Sequence, residues 1–207
     1  MPASPGINHP KVVSYADVLS GRVKVGLRAA VIGAGGIGVD ICEFLLHDGT
    51  QPNGPDIAQY CDEWGIDLSV ATPGGLRPAE TGQVGREIWM LQRKKSGKMG
   101  AGPGKTTGWA HRIALRRHVE MYGGVEYRRI DDQGLHFSVA GQDRLIEVDH
   151  VVVCAGQESV RGLFEAGAKS AAKAGGARVH LIGGAEVAAE LDAKRAIRQG
   201  TELAITF

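Results

Sequence analysis

The stretch Arg28 to Gly38, RAAVIGAGGIG, decides how the rest of the chain is read. A short apolar run, Ala29-Ala30-Val31-Ile32, breaks directly into Gly33-x-Gly35-x-x-Gly38. Ile37, Ile41, Phe44 and Leu45 then recur at the spacing of one helix face. Strand, glycine turn and helix in that order suit a dinucleotide. Gly33 permits a tight turn, Gly35 lacks the Cβ that would block a pyrophosphate, and Gly38 lets the helix lie close to the strand. The helix start then offers its N–H groups and the positive end of its dipole to the anion. Glycine makes up 31 of 207 residues, so the spacing alone is a weak signal; the strand before it and the helix after it carry the reading.

The end of the second strand bears on which dinucleotide. An NAD-selective turn places Asp or Glu about 20 residues after the glycines, to hold the ribose 2′-OH. No such acid stands there. The segment Asp48 to Gly85 is rich in turn formers (TQPNGPD, TPGGLRP) and reads as an insertion. The apolar strand resumes at Glu87 to Gln92, EIWMLQ, and ends in Arg93-Lys94-Lys95, with Lys98 just beyond. Cations there suit a 2′-phosphate, because guanidinium grips it bidentately and ammonium adds a point charge. NADPH is therefore favoured over NADH, the competing reading of RKKSGK being a solvated basic loop.

Composition sets the outer limits. With 207 residues, 43% of them hydrophobic and 23% charged, the chain is globular, as one domain or two small ones. A net charge of +1 argues against nucleic acid or a membrane as main partner. The start, MPASPGINHP, has no charged n-region or apolar core, and no apolar run approaches the length of a membrane span, so neither export nor a span is expected; with three widely spaced cysteines, a reducing cytoplasm is the expected setting. Cys42, Cys61 and Cys154 are widely spaced and form no metal or iron–sulfur framework.

Along the chain, Met1 to Gly26 reads as a linker segment with one or two helical turns in YADVLSG. After the glycine-rich loop GKMGAGPGKTTG, a helix is expected over Trp109 to Met121, with Thr106 or Thr107 as N-cap. Short strands follow at Val125 to Tyr127, Gly134 to Val139 and Arg144 to Val148, the last two as a hairpin around Ala140-Gly141-Gln142. Asp149 to Cys154, DHVVVC, has the near-continuous apolar character of a buried parallel strand. Glu165 to Ala177 reads as a helix end and exposed loop, Val179 to Ile182 as another buried strand, and Val187 to Leu203 as the last helix. Such alternation predicts an α/β fold with a mostly parallel sheet.

Some features invite readings that their context does not support. Gly104-Lys105-Thr106 resembles the end of a P-loop, but Met99 stands where the first glycine is required, and no apolar strand leads into it. His111 and His118 share a helix face without a third ligand, and read as surface or hydrogen-bonded residues rather than a metal site. Glu190 and Asp192 read as helix-start charges rather than a catalytic pair. No catalytic side chain and no metal ligand are assigned.

The blocks VIGAGGIGVDICEFL, MLQRKKSGK, GPGKTTGWAHR, DDQGLHF, DHVVVCAGQE and HLIGGAEVAAELDAKRAIRQGTELA resemble the C-terminal portion of bacterial NADPH-dependent 2,4-dienoyl-CoA reductase. The resemblance runs from about His9 to the end; GKTTGWAHR and ELDAKRAIRQG are its most specific parts. In that family, which acts in the oxidation of unsaturated fatty acids, a flavin barrel with FMN and a four-iron cluster precedes a module that binds FAD and NADPH. Electrons pass from NADPH to FAD, through the cluster to FMN, and on to the dienoyl thioester. This chain departs from the pattern: it contains no barrel, no cysteine cluster and no first FAD motif upstream of Gly33.

The resemblance implies a Rossmann-like NADPH-binding domain at 27–154 and the C-terminal part of an FAD-binding domain at 155–207, after a linker at 1–26. It implies pyrophosphate contacts from Ala34, Gly35, Gly36 and Ile37, between the shaping residues Gly33 and Gly38. It implies 2′-phosphate contacts from Arg93, Lys94 and Lys98, with Trp109 and Ala110 beside the nucleotide. On the FAD side, Gly184 stands near the expected Gly-Asp, and Leu191, Asp192 and Ala193 would offer backbone amides to the flavin; the competing reading is a helix packed on a strand. The implied activity is hydride transfer from NADPH to FAD, with a flavin and iron–sulfur barrel as a further domain or partner subunit. The alternative is a non-catalytic NADP(H)-binding module that needs a partner chain for its flavin.

Overall fold

Three strands with almost no polar interior residues fix the architecture. RAAVI, EIWMLQ and HVVV can be satisfied only when both faces of the sheet are covered, which is the condition of a parallel sheet. The structure, a computed structural model, describes residues 4–47, 56–80, 82, 84–95, 99, 106–174, 178–188 and 193–206. The chain divides into two units, Pro2–Ala155 and Gly156–Phe207.

The first unit opens with β1 (Val12–Ser14) and α1 (Tyr15–Leu19), followed by β2 (Arg28–Ile32) and α2 (Gly36–Leu46). Then come α3 (Ile57–Trp64), β3 (Glu87–Gln92), α4 (Gly108–His118) and β4 (Val119–Gly123). Three more strands, β5 (Val125–Asp131), β6 (Gly134–Val139) and β7 (Gln142–Ile146), precede β8 (His150–Val153). Strands β1, β8, β2, β3 and β4 form one sheet in that order, every pair parallel. Strands β5, β6 and β7 form an antiparallel meander.

Alternation along the parallel strands divides the core into two layers. Ala29, Val31, Ile88, Met90 and Val152 pack with Val39, Ile41, Leu45 and Leu115 of the helices. Ala30, Ile32, Leu91 and Val151 pack instead with Val125, Ile130, Leu135, Phe137 and Ile146 of the meander. Phe137 and Leu135 are fully buried there. The sheet is thus covered by helices on one face and by a second sheet on the other, consistent with the expected mostly parallel α/β fold.

Several boundaries differ from expectation. The segment 1–26, read as a linker, supplies the sheet's outer strand: Val12 to Ser14 pairs with Val151 to Val153, and Val18 and Val25 are buried. The expected helix to Met121 stops at His118, and Val119 to Gly123 becomes β4 with no intervening loop. Pairing to β3 outweighs helix propensity there, because Val119 gains a buried place. The insertion contains α3, capped where the Asp56 carboxylate accepts from the Ala58 and Gln59 N–H groups (2.9 and 3.2 Å) and ended by Gly65 in the left-handed region (φ 66°).

The second unit holds α5 (Gly162–Ala174), a 3-10 turn at Gly183–Ala185, and α6 (Ala193–Ala204). The buried strand expected at Val179 to Ile182 is absent; these residues have no regular secondary structure, and Val179 and Ile182 are 39% and 40% exposed. A parallel strand exists only where a neighbour pairs with it, and no strand is present among this unit's described residues. The last helix begins at Ala193 rather than Val187, and Val187 lies in the preceding turn region. Among the described residues no helix is long and apolar enough to cross a membrane.

Candidate functional site

Strand β2 delivers the chain to Gly33, whose φ of +117° excludes most side chains. Its N–H donates to the Leu91 carbonyl of β3 (2.9 Å), and a Cβ there would press on the Cys154 carbonyl oxygen at 3.0 Å. Ala34 packs against the helical core layer. Gly35 is the N-cap of α2 with ordinary extended torsions (φ −81°, ψ −172°), and a Cβ on it would meet nothing within 4 Å. Its lack of a side chain therefore serves no internal packing need. Gly38 is the opposite case: a Cβ there would fall inside the Gly33 carbonyl oxygen.

Helix α2 starts at Gly36 with no side-chain cap and no acidic residue in its first turn. The opening N–H groups of Gly36 and Ile37 have no partner within the helix, and together with the positive helix end and the open space at Gly35 they make a ready site for an anion. The position in the sheet suits a ligand as well. Strand β2 pairs with β3 on one side and β8 on the other, so its carboxyl end is a topological switch point.

The parallel register Ile32↔Leu91 brings the end of β3 to the same edge. Arg93 and Lys94 follow directly, both exposed. The Lys94 carbonyl accepts from the Gly124 N–H (2.9 Å) and from Gln92 Nε2 (3.3 Å), which ties this turn to the end of β4. The structure thus brings Gly33, Ala34, Gly35, Gly36, Ile37, Gly38, Arg93 and Lys94 to one sheet edge; Lys98 lies outside the described residues.

Trp109 and Ala110 occupy the first turn of α4, which by topology also begins at the carboxyl edge. Trp109 is half exposed and meets Trp64 of α3 edge-on (centroids 6.3 Å apart); Trp64 in turn contacts Tyr60 and lies under the Arg117 guanidinium. His111 is the hydrogen-bonded helix residue of the two alternatives above: its Nδ1 lies 2.7 Å from Glu43 Oε1 on α2. Burial pushes the Cys154 thiol up to about 12 and the Cys42 thiol up as well, so both are protonated near neutral pH. Among the described residues no group of three or more His, Cys, Asp or Glu could hold a metal ion.

One residue at this edge escaped the sequence reading. The Tyr127 hydroxyl of β5 donates to the same Leu91 carbonyl that accepts from Gly33 (3.1 Å). Burial raises the phenol's pKa, opposed by the Arg93 charge, so Tyr127 is a neutral donor with Arg93 in electrostatic reach. Nothing in EYRRID marks it, because its place depends on how the meander sits on the sheet.

In the second unit, Gly184 lies in the 3-10 turn Gly183–Ala185 and Ala193 opens α6; Leu191 and Asp192 lie outside the described residues. The turn is held from three sides. Gly183 N–H donates to Gln199 Oε1 (2.7 Å), while Arg195 and Arg161 donate to the Val187 and Glu186 carbonyls (2.7 and 2.6 Å).

No family model matches the sequence. A metal reductase of Desulforamulus reducens is 25% identical over 163 residues, covering 75% of this chain and 22% of that protein. Among solved structures, 2-naphthoyl-CoA reductase in complex with 2-naphthoyl-CoA is similar with a TM-score of 0.66 and 22% identity, over 97% of this chain and 24% of that one. The 6-hydroxypseudooxynicotine amine oxidase of Pseudomonas geniculata N1 gives a TM-score of 0.65 and 17% identity, over 96% and 25%. The shared feature is the fold. The chain spans about a quarter of the length of these proteins, all of which carry oxidoreductase names.

Proposed function

We propose that this chain is the NADPH-binding portion of a flavin-dependent oxidoreductase of the 2,4-dienoyl-CoA reductase type, passing hydride from NADPH to FAD. The observation that carries the reading is the juxtaposition at the switch point: the open Gly35, the uncapped start of α2, and the cations Arg93 and Lys94. The amides of Gly35, Gly36 and Ile37 hold the pyrophosphate, with Ala34 in the turn between Gly33 and Gly38. Arg93 grips the 2′-phosphate and Lys94 adds its charge; β3 ends in neutral Gln92, without the acid that would favour an unphosphorylated ribose. Trp109 and Ala110 border the site.

When bound, the two cofactors supply the redox chemistry, NADPH giving the hydride and FAD accepting it. The protein's own part is to bind, orient and exclude water, and no side chain has to move a proton. Flavin enters the reading through the resemblance to the dienoyl-CoA reductases, and it would meet Gly184, Leu191, Asp192 and Ala193. By their names, the similar curated protein and the similar solved structure act on a metal and on 2-naphthoyl-CoA. A common nucleotide end serving different acceptors fits both.

The test is anaerobic addition of NADPH to the purified chain with FAD. Bleaching of the flavin's visible band, followed by reduction of ferricyanide, is expected; absence of NADPH-dependent flavin reduction contradicts hydride transfer by this chain. A second reading, a non-catalytic NADP(H)-binding subunit completed by a partner such as a flavin and iron–sulfur barrel, is favoured by the Gly156–Phe207 unit. Its α6 buries no described residue, and Val160 and Leu163 are 84% and 91% exposed. On that reading NADPH binds but flavin does not.

A further inference from the structure

The cations at the end of β3 sit on a turn whose backbone is fixed from outside the strand. Leu91 is fully buried, and its carbonyl accepts two hydrogen bonds, from Gly33 N–H at 2.9 Å and from the Tyr127 hydroxyl at 3.1 Å. Three residues on, the Lys94 carbonyl accepts from Gly124 N–H at 2.9 Å. Gly124 has φ +72°, and a Cβ on it would crowd Lys95, so chain and cationic turn are closely fitted there. Arg93 lies between these two anchors.

Resting on the nucleotide reading above, we propose that Tyr127 is a positioning residue for nucleotide selectivity: its hydroxyl, bonded to the Leu91 carbonyl, holds the end of β3 so that Arg93 meets the 2′-phosphate. The local fold aims it there. A register shift between Tyr127 and Arg129 inserts one extra residue opposite β6. That bulge returns Ile130 to the buried side shared by Val125 and Tyr127, and Tyr127 packs against the core layer that contains both. The ring alone would satisfy the packing. The hydroxyl adds a directed bond to the one carbonyl that also anchors the glycine turn.

The two anchors on Leu91 separate the expected effects. Removing the hydroxyl leaves Gly33 N–H on the carbonyl, so the pyrophosphate turn persists and NADH binding persists with it. What loosens is the run from Leu91 to Arg93, which matters only to a ligand carrying the 2′-phosphate.

The experiment measures dissociation constants for NADPH and NADH on the intact chain, on Tyr127→Phe, on Arg93→Ala and on the double variant. Tyr127→Phe is expected to weaken NADPH about fivefold, the size of one neutral hydrogen bond, and to change NADH less than twofold. In the double variant, NADPH affinity is expected to match that of Arg93→Ala alone. NADH affinity also reports whether each variant is folded, since a general loss of structure lowers both nucleotides together. If Arg93→Ala is selective but Tyr127→Phe weakens both nucleotides equally, or neither, the role of Tyr127 is overturned and the NADPH reading stands. If the wild-type chain shows no preference for NADPH, both are overturned.

Discussion

Gly33, Gly35 and Gly38 are glycines for three different reasons, and only one of the three points outward. Gly33 needs its positive φ, Gly38 has no room beside the Gly33 carbonyl, and Gly35 has neither constraint. Alanine substitutions therefore separate folding from binding. Gly35→Ala, at torsions any residue adopts, should change unfolding stability by less than about 1 kcal/mol in urea denaturation, the chain-entropy gain and the poorer N-cap offsetting each other, while weakening NADPH about tenfold or more. Gly38→Ala should cost about 3 kcal/mol, since backbone rather than a flexible side chain must give way. Equal effects of the two substitutions on stability would contradict this division of roles. The tight turn at Gly33 and the close approach at Gly38 were legible in the sequence because the conformation is set within a few residues of the turn. Tyr127 was not, because its hydrogen-bond partner lies 36 residues earlier in the chain and depends on two sheets meeting.

Among the elements, β2, α2, β3 and β8 were readable from apolar runs and helical spacing, which tertiary structure only reinforces. Strand β4 was hidden because it continues α4 without a break and has a single well-buried residue, Val119, to mark it. The error at Val179 to Ile182 was of the opposite kind: an apolar run supplies a strand's composition but not its partner. The β6–β7 hairpin was readable and carries a local cost. Val139 pairs with Gln142, leaving a two-residue turn in which Ala140 and Gly141 have φ of 51° and 78°. Such a turn favours Asn-Gly over Ala-Gly. Ala140→Asn is accordingly expected to stabilise the chain by about 1 kcal/mol, read as a higher urea midpoint with unchanged slope. A lower midpoint would mean that the turn is set by contacts beyond its own torsions.

At the scale of the whole molecule, the strand order β1-β8-β2-β3-β4 matters more than any single residue. Following β2 with α2 and β3, and later returning to β8 on its other side, opens the crevice at the carboxyl end of β2. The three-layer packing then brings the meander, with Tyr127, beneath the same edge. The parallel class of sheet was predictable from composition along the strands. The contribution of Val12 to Ser14 as outer strand was not, because three residues leave too short a pattern to read. Whether this crevice holds a phosphorylated dinucleotide is settled by calorimetric titration of the intact chain with NADPH and with NADH. Saturable binding of both is expected, with NADPH about tenfold or more tighter through its charge-assisted 2′-phosphate contacts, a gap closed by Arg93→Ala. Failure of either nucleotide to bind, or equal binding of the two with Arg93 in place, would contradict the NADPH reading.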